Sequence, residues 1–322
     1  MRYLKDEYIP KSLVIDITTA CSAKCHFCAR EMMNGSRKNS FMEFSLFKSI
    51  LDDAKKLGVK DISLYQTGEA TLHPELDSLV KYGKDNGFII TLSTNGSDVD
   101  KYIETLLMVD YVRFSIDGWD KKSFELFRYP LKYEKIKRNL KLLRDAKNNS
   151  NSKMEIGINN IFSVKSDFNL FLENWAELID YLEVSPLYPS SYFNGIEFIP
   201  SYDERLKEHY FNFEYISNEK KWCHFPFYTP VISYDGKMSL CCQDFSSEFN
   251  LSNVTDGLYK VFNSPQINKI RKEFIDMTYE TCNKCHRFLR LKEEDKSFIK
   301  SQITTAISNN DIAKKIKIDI KV

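Results

Sequence analysis

No segment of this sequence is apolar for long enough to cross a bilayer, and its first residues, MRYLKDEYIPKS, lack the apolar core of a secretory signal. Neither sign of charge dominates, because 46 Lys and Arg stand against 45 Asp and Glu for a formal net charge of +1. That balance gives no electrostatic reason to expect a polyanion. Neither a membrane nor a nucleic acid is therefore an expected partner, and a cytoplasmic protein is the plain reading. Low-complexity linkers and repeats larger than a βα unit are also missing. Between Cys28 and Cys223 there is no cysteine at all. The eight cysteines crowd instead into Cys21–Cys28 and Cys223–Cys285. A reducing compartment keeps thiols out of disulfides, and core thiols would not gather at two ends of a chain, so metal ligation accounts for them best.

What is present is a chain of 322 residues, enough for a full-sized core. From about residue 12 to 187, short β-branched or aromatic runs alternate with longer runs carrying apolar residues at helical spacing. The expected strands are Leu13–Ile17, Asp61–Tyr65, Phe88–Ser93, Tyr111–Ile116, Lys153–Asn160 and Tyr181–Ser185. The expected helices are Glu43–Leu57, Glu75–Asn86, Val99–Met108, Lys132–Lys147 and Asp167–Leu178. This order gives an α/β fold with a parallel sheet, and six units fall short of a closed eight-unit barrel, so a partial (β/α)6 barrel is expected. Chemistry belongs at the C-terminal strand ends. Residues 188–222 form an aromatic-rich bridge without clear periodicity, 223–290 a small second unit, and 291–322 a helix followed by the alternating strand IKIDIKV.

Cys21-x3-Cys25-x2-Cys28 follows the first expected strand directly. Three thiolates on one short loop can grip three irons of a [4Fe–4S] cube, whereas most clusters take four, so one iron is left open for a ligand. A zinc site would want a fourth ligand nearby, which His26 offers only from awkward geometry inside the loop. With Phe27 before the last cysteine, the string resembles the CxxxCxΦC signature of the radical S-adenosylmethionine (radical SAM) superfamily. Thr67-Gly68-Glu69 after the second strand resembles that family's glycine–glutamate motif, with Thr67 in place of the usual first glycine. Ser93-Thr94-Asn95-Gly96 and Ser115-Ile116-Asp117-Gly118 resemble segments lining the cofactor pocket, and Asn159 and Asn160 end the strand that contacts adenosine in such proteins. The resemblance implies Cys21, Cys25 and Cys28 as cluster ligands, and Phe27, Gly68, Glu69, Thr94, Asn95, Ser115, Asp117 and Asn159 around S-adenosylmethionine. It also implies reductive cleavage of that cofactor, hydrogen abstraction from a C–H bond, and an electron donor such as flavodoxin or ferredoxin.

The second group comprises Cys223, then Cys241-Cys242, then Cys282-x2-Cys285, with Asp235-Gly236 placed for a hairpin turn between Pro230–Tyr234 and Lys237–Cys241. Four thiolates suit zinc or a fully ligated [4Fe–4S] cluster, and spacing alone does not choose. Cys282-x2-Cys285-His286 also matches a c-type haem attachment string, which the absence of an export signal disfavours. The arrangement resembles the twitch domain of radical SAM enzymes, a shortened SPASM domain. That implies one auxiliary cluster on Cys223, Cys241, Cys282 and Cys285, two clusters in all, and leaves Cys242 as a small buried residue or a hydrogen-atom donor.

Two reactions fit: oxidation of a secondary alcohol to a ketone with the auxiliary cluster as electron acceptor, or epimerisation with Cys242 returning hydrogen. A non-enzymatic iron–sulfur carrier is the distant third. Only about a dozen residues precede the first strand, which favours a small polar substrate (a sugar, aminocyclitol or nucleotide sugar) over a peptide. Tyr188, Tyr192, Phe193 and Tyr202 are candidates for a binding wall, with Glu197, Asp203 and Arg205 as polar partners.

Overall fold

A computed structural model describes residues 7–28, 30, 39–187, 191–193, 196–198, 205–211, 213–215, 223–242, 244, 252–279, 282, 285 and 289–321. The alternating runs fold as β1 (Ser12–Ile15), α1 (Phe44–Lys56), β2 (Asp61–Leu64), α2 (Leu76–Asp85), β3 (Ile89–Thr94), α3 (Ile103–Met108), β4 (Tyr111–Ser115), α4 (Lys121–Phe127), α5 (Tyr133–Asn148), β5 (Glu155–Phe162), α6 (Phe168–Trp175) and β6 (Tyr181–Pro186). Each of the six expected strands is present within two residues at either end. The helices follow their apolar spacing: α1 buries Phe47, Ile50, Leu51 and Ala54, one stripe of a 3.6-residue period, and ends on Lys55 and Lys56. Helix α4 was not expected, because seven residues give too short a stripe to read. Its start is fixed by a capping box in which Asp120 Oδ1 accepts from Ser123 N (2.7 Å) and Ser123 Oγ accepts from Asp120 N (2.9 Å).

Beyond β6 the chain forms the antiparallel pair β7 (Ser191–Phe193) and β8 (Ile196–Phe198), then β9 (Phe213–Tyr215), α7 (Phe225–Tyr228), β10 (Val231–Ile232), β11 (Met238–Ser239), α8 (Leu258–Phe262), α9 (Pro265–Ile275), β12 (Leu289–Leu291), α10 (Glu293–Ser308) and β13 (Lys317–Ile320). The expected hairpin is β10–β11, turned by Gly236 at φ +82°, a conformation that favours glycine. Strand β9 of the bridge pairs antiparallel with β12, beyond the last cysteine.

The sheet is larger than six strands. Its order is β11-β10-β1-β2-β3-β4-β5-β6-β13, open at both ends and parallel throughout except at β10–β11. The hairpin extends the β1 edge, and the alternating tail extends the β6 edge from Lys317↔Tyr181 to Ile320↔Val184. The two faces differ in chemistry. Leu64, Leu92, Val112, Phe114, Ile158 and Leu182 are fully buried with the helices in one core. The alternate residues Ser93, Arg113, Gly157 and Tyr181 are register partners on the other, inner face, and Ser115, Asn159 and Glu183 form the next row towards the C-terminal ends.

At the N-terminal end of β6, Asp180 accepts from Arg144 Nη1 (2.9 Å), Lys147 Nζ (2.7 Å) and the Ile156 amide (2.7 Å), joining α5 to β5 and β6. Partial burial alone would raise its pKa, but these donors hold it below its ordinary 3.8. A depressed carboxylate contributes stability above its unfolded pKa and loses it as pH falls through the folded value. Asp180→Asn is expected to cost about 1–2 kcal/mol at neutral pH. In thermal melts the difference from the parent should shrink below about pH 4.

Candidate functional site

The loop after β1 carries the first cysteine group. Cys25 is 5% exposed, Cys21 and Cys28 are half-buried, and the Cys28 amide donates to Cys25 O at 3.0 Å. Donors point at the sulfurs: Ala23 N lies 3.4 Å and Asn95 Nδ2 3.8 Å from Cys21 Sγ, and Arg128 Nη1 lies 3.7 Å from Cys25 Sγ. Burial pushes Cys21 up to about 11, helped by the Glu69 charge, and Cys25 up to about 12 against the opposing Arg128 charge. Cys28 is raised by burial as well. A cysteine ligates iron as the thiolate, and the donors aimed at the Cys21 and Cys25 sulfurs suit that form. Among the described residues, no three His, Cys, Asp or Glu side chains gather around one metal-ion position. Three thiols on one short loop are the donor set that a [4Fe–4S] cube would take, one thiolate to each of three irons.

The loop after β2 is pressed onto the first. A Cβ on Gly68 would stand 2.0 Å from Thr18 O and 2.8 Å from Ala20 O, so no larger residue fits, and the Glu69 amide donates to Ala20 O at 2.7 Å. Thr67, in the place of a glycine, donates from N (3.1 Å) and Oγ1 (2.5 Å) to the carboxylate of buried Asp16 at the end of β1. Glu69 is 3% exposed. Its Oε1 accepts from Thr71 N (3.1 Å), Thr71 Oγ1 (2.7 Å) and Thr94 Oγ1 (2.7 Å), and its Oε2 from Asn95 N (2.5 Å). Burial raises its pKa and these four donors oppose the shift. Asn95 Nδ2 also reaches Ser22 Oγ at 3.1 Å, so Glu69, Thr94, Asn95 and Cys21 meet at one rim.

Farther along the rim the expected residues separate. Ser115 and Asn159 are half-buried register partners on the inner face, whereas Asn160 turns away and donates to Ile116 O at 3.0 Å. Asp117 is fully buried, accepting from Ile161 N (2.7 Å) through Oδ1, with Arg128 Nη2 2.5 Å from Oδ2. Phe27 is half-buried, its ring 6.0 Å from Phe127 and 5.2 Å from the Arg128 guanidinium.

Beneath the rim lies a group that sequence reading passed over. Arg113 donates from Nε (3.1 Å) and Nη2 (3.0 Å) to Ser93 Oγ, lies 3.3 Å from Glu183 and stands over the Tyr65 ring at 5.2 Å. Lys321, past β13, reaches Glu183 at 2.9 Å. The available signal was alternation: in Tyr111-Val112-Arg113-Phe114-Ser115 the apolar residues face the helices, so the arginine faces inward.

In the C-terminal group Cys223 precedes α7 and Cys241 follows β11; with Cys282 and Cys285 they are half-buried, and the Cys285 amide donates to Cys282 O at 3.4 Å. All eight cysteines are free of disulfides. Cys242, 8% exposed, packs with Val14, Phe225 and Val231 against Tyr65 and Cys223, and its carbonyl accepts from Gln66 Nε2 at 2.6 Å. This puts it against Val14 and Tyr65 of the inner face. Tyr188, Tyr202, Asp203 and His286 lie outside the described residues, as do the side chains of Tyr192, Phe193 and Glu197; Arg205 is exposed. Gly68→Ala is expected to part the two loops, costing about 1–3 kcal/mol in a thermal melt and lowering the iron bound per chain.

Comparison with known proteins bears on the family and the fold. The family model for the radical SAM superfamily matches residues 15–161, and the SPASM model, an iron–sulfur cluster-binding domain, matches residues 223–286. The tungsten-containing aldehyde ferredoxin oxidoreductase cofactor-modifying protein of Pyrococcus furiosus is 36% identical over 111 residues, 33% of this chain and 31% of that protein. Matches to the curated relatives span only 29–42% of this chain's and of their own lengths in the three first-ranked cases. Among solved structures, Streptococcus suis SuiB bound to S-adenosylmethionine superposes with a TM-score of 0.63 at 18% identity, covering 87% of this chain and 72% of that one. BtrN in complex with AdoMet and 2-DOIA gives 0.56 at 14% identity, covering 87% and 93%. At those identities the likeness is one of fold. No helix among the described residues is long and apolar enough to cross a membrane. The chain carries a radical SAM superfamily domain, its partial (β/α) barrel, joined to a C-terminal SPASM auxiliary iron–sulfur domain.

Proposed function

We propose that this chain cleaves S-adenosylmethionine reductively and uses the product to oxidise a secondary alcohol of a small polar substrate. The observation that carries the reading is the link, at one rim, from the three-cysteine loop through Cys21 and Asn95 to Glu69, a buried carboxylate tied to Thr94 and Asn95. When bound there, a [4Fe–4S] cluster with S-adenosylmethionine supplies one-electron cleavage and hydrogen abstraction from an unactivated C–H bond. The protein's part is to hold and to exclude. Cys21, Cys25 and Cys28 would ligate the cluster. Glu69, fixed by four donors, would accept from the cofactor's amino group. Ser115 and Asn159 would face it from the inner rows, beside Thr94, Asn95 and Phe27, with Gly68 allowing the loops to touch and Asp117 bracing the rim.

Below them, Tyr65, Ser93, Arg113 and Glu183 gather donors and acceptors on the inner face of the sheet, which suits a hydroxyl-bearing substrate. Cys223, Cys241, Cys282 and Cys285 would hold one auxiliary cluster as acceptor for the second electron, with an external donor supplying the first. One observation favours a second reading, epimerisation: Cys242 packs against Val14 and Tyr65 of that same inner face, where a thiol could return hydrogen to a substrate radical. The fold accommodates different partners, since SuiB has been solved with a precursor peptide and BtrN with 2-DOIA.

After anaerobic reconstitution the parent is expected to bind about eight irons and Cys25→Ala about four. With dithionite the parent should form 5′-deoxyadenosine and methionine, and Cys25→Ala neither. A parent holding about four irons would remove the auxiliary acceptor and with it the oxidation. Cys242→Ala should keep all the iron and, if oxidation is right, the turnover too. Uptake of solvent deuterium into product in the parent, abolished in Cys242→Ala, would establish epimerisation instead.

A further inference from the structure

Arg128 is a side chain that neither the cysteine motif nor the strand-end segments include. It follows α4, and its side chain is only 13% exposed. Nη1 reaches Cys25 Sγ at 3.7 Å, Nη2 stands 2.5 Å from Asp117 Oδ2, and the guanidinium stacks 5.2 Å over Phe27. Asp117 is itself fixed, with no exposure and its other oxygen taken by the Ile161 amide. A surface arginine samples many rotamers, but this one is held by a carboxylate behind it and a ring beneath it, with Nη1 aimed at the sulfur.

We propose that Arg128, braced by Asp117, is a positioning residue for the Cys25 thiolate and sets the reduction potential of the cluster bound there. The inference rests on the reading of Cys21, Cys25 and Cys28 as cluster ligands. Reduction adds one negative charge to the cluster, so a cation and a hydrogen bond at a ligand sulfur favour the reduced form and raise the potential. A carboxylate behind the cation offsets part of that effect. The two residues are therefore set against each other. Removing the cation lowers the potential, and removing the carboxylate leaves the cation uncompensated and raises it. A purely structural pair would not give opposite signs.

The test is EPR-monitored redox titration of reconstituted full-length protein, following the cluster whose signal changes when S-adenosylmethionine is added. Arg128→Gln should shift the midpoint downward, Asp117→Asn upward, and Arg128→Lys should lie between the parent and Arg128→Gln. Shifts of the same sign in Arg128→Gln and Asp117→Asn, or no shift in either with the cluster retained, would overturn the proposal. If Arg128→Gln loses the cluster, recovery of about four irons at that site in Arg128→Lys supports it. Loss in both, with Asp117→Asn unshifted, overturns it. A parent with no signal responsive to S-adenosylmethionine would sink the ligand reading itself, a failure distinct from clusters that are present but indifferent to Arg128.

Discussion

A carboxylate removed from water must be repaid in hydrogen bonds, and at the C-terminal rim of this barrel that requirement falls on Glu69. Among the described residues no arginine or lysine forms an ion pair with it. Backbone and hydroxyl donors compensate it, two from Thr71 in its own loop and two from Thr94 and Asn95 at the C-terminal end of β3. Such a network holds geometry tightly, because any loop that moves leaves a buried charge short of a donor. Asn95 passes the constraint on, since its side chain touches Cys21 and Ser22. The absence of a Cβ at Gly68 lets the β2 loop come close enough for this. Three loops from three strands thus behave as one unit, and the cysteine positions depend on a residue that is not a cysteine.

Asp117, another buried acid of the rim, has different neighbours, one amide on Oδ1 and the Arg128 cation beside Oδ2. Neutral donors around Glu69 leave its charge available to a positive group of a bound molecule. Pairing with Arg128 largely cancels the charge of Asp117. The same residue type can therefore face a ligand in one place and steady a neighbour in another, and the distinction lies in what surrounds each carboxylate rather than in how deeply it is buried.

The barrel was legible because its signals are local. Strand runs such as Tyr111–Ser115 and stripes such as Phe47, Ile50, Leu51 and Ala54 carry their periodicity within a dozen residues. The rim was legible because turn and motif residues sit next to strand ends. What escaped was whatever depends on pairing across distance. Nothing in Val231–Ile232 says that it will lie parallel to β1, and IKIDIKV announces a strand but not its neighbour β6. Asp16, Arg113, Arg128 and Glu183 escaped for a related reason. A lone charged residue in a strand or at a helix end reads as solvated until the sheet brings it a partner, as it does for Arg113 through Ser93 and Glu183.

Those long-range pairings also decide how the two cysteine groups are related. The barrel's six βα units end at Pro186, yet its first strand has a neighbour on the β1 edge only when the β10–β11 hairpin arrives. The join is stitched at several levels: Ser12 Oγ to Thr229 Oγ1 at 3.0 Å, Tyr8 N to Asn263 Oδ1 at 2.7 Å, and Gln66 Nε2 to the Cys242 carbonyl at 2.6 Å. Arg271, fully buried between the rings of Tyr8 and Phe262, donates to Pro226 O at 2.8 Å, three residues past Cys223. Because Gln66 adjoins Thr67, Gly68 and Glu69, the contact that holds Cys242 is one step from the loop that positions Cys21. A displacement of the hairpin must then be felt at the rim, since each hydrogen bond between them would have to break in a place where water cannot readily replace it. The sheet acts as the ruler between the loop of Cys21 and the hairpin end at Cys241 and Cys242, whose separation is set by strand register.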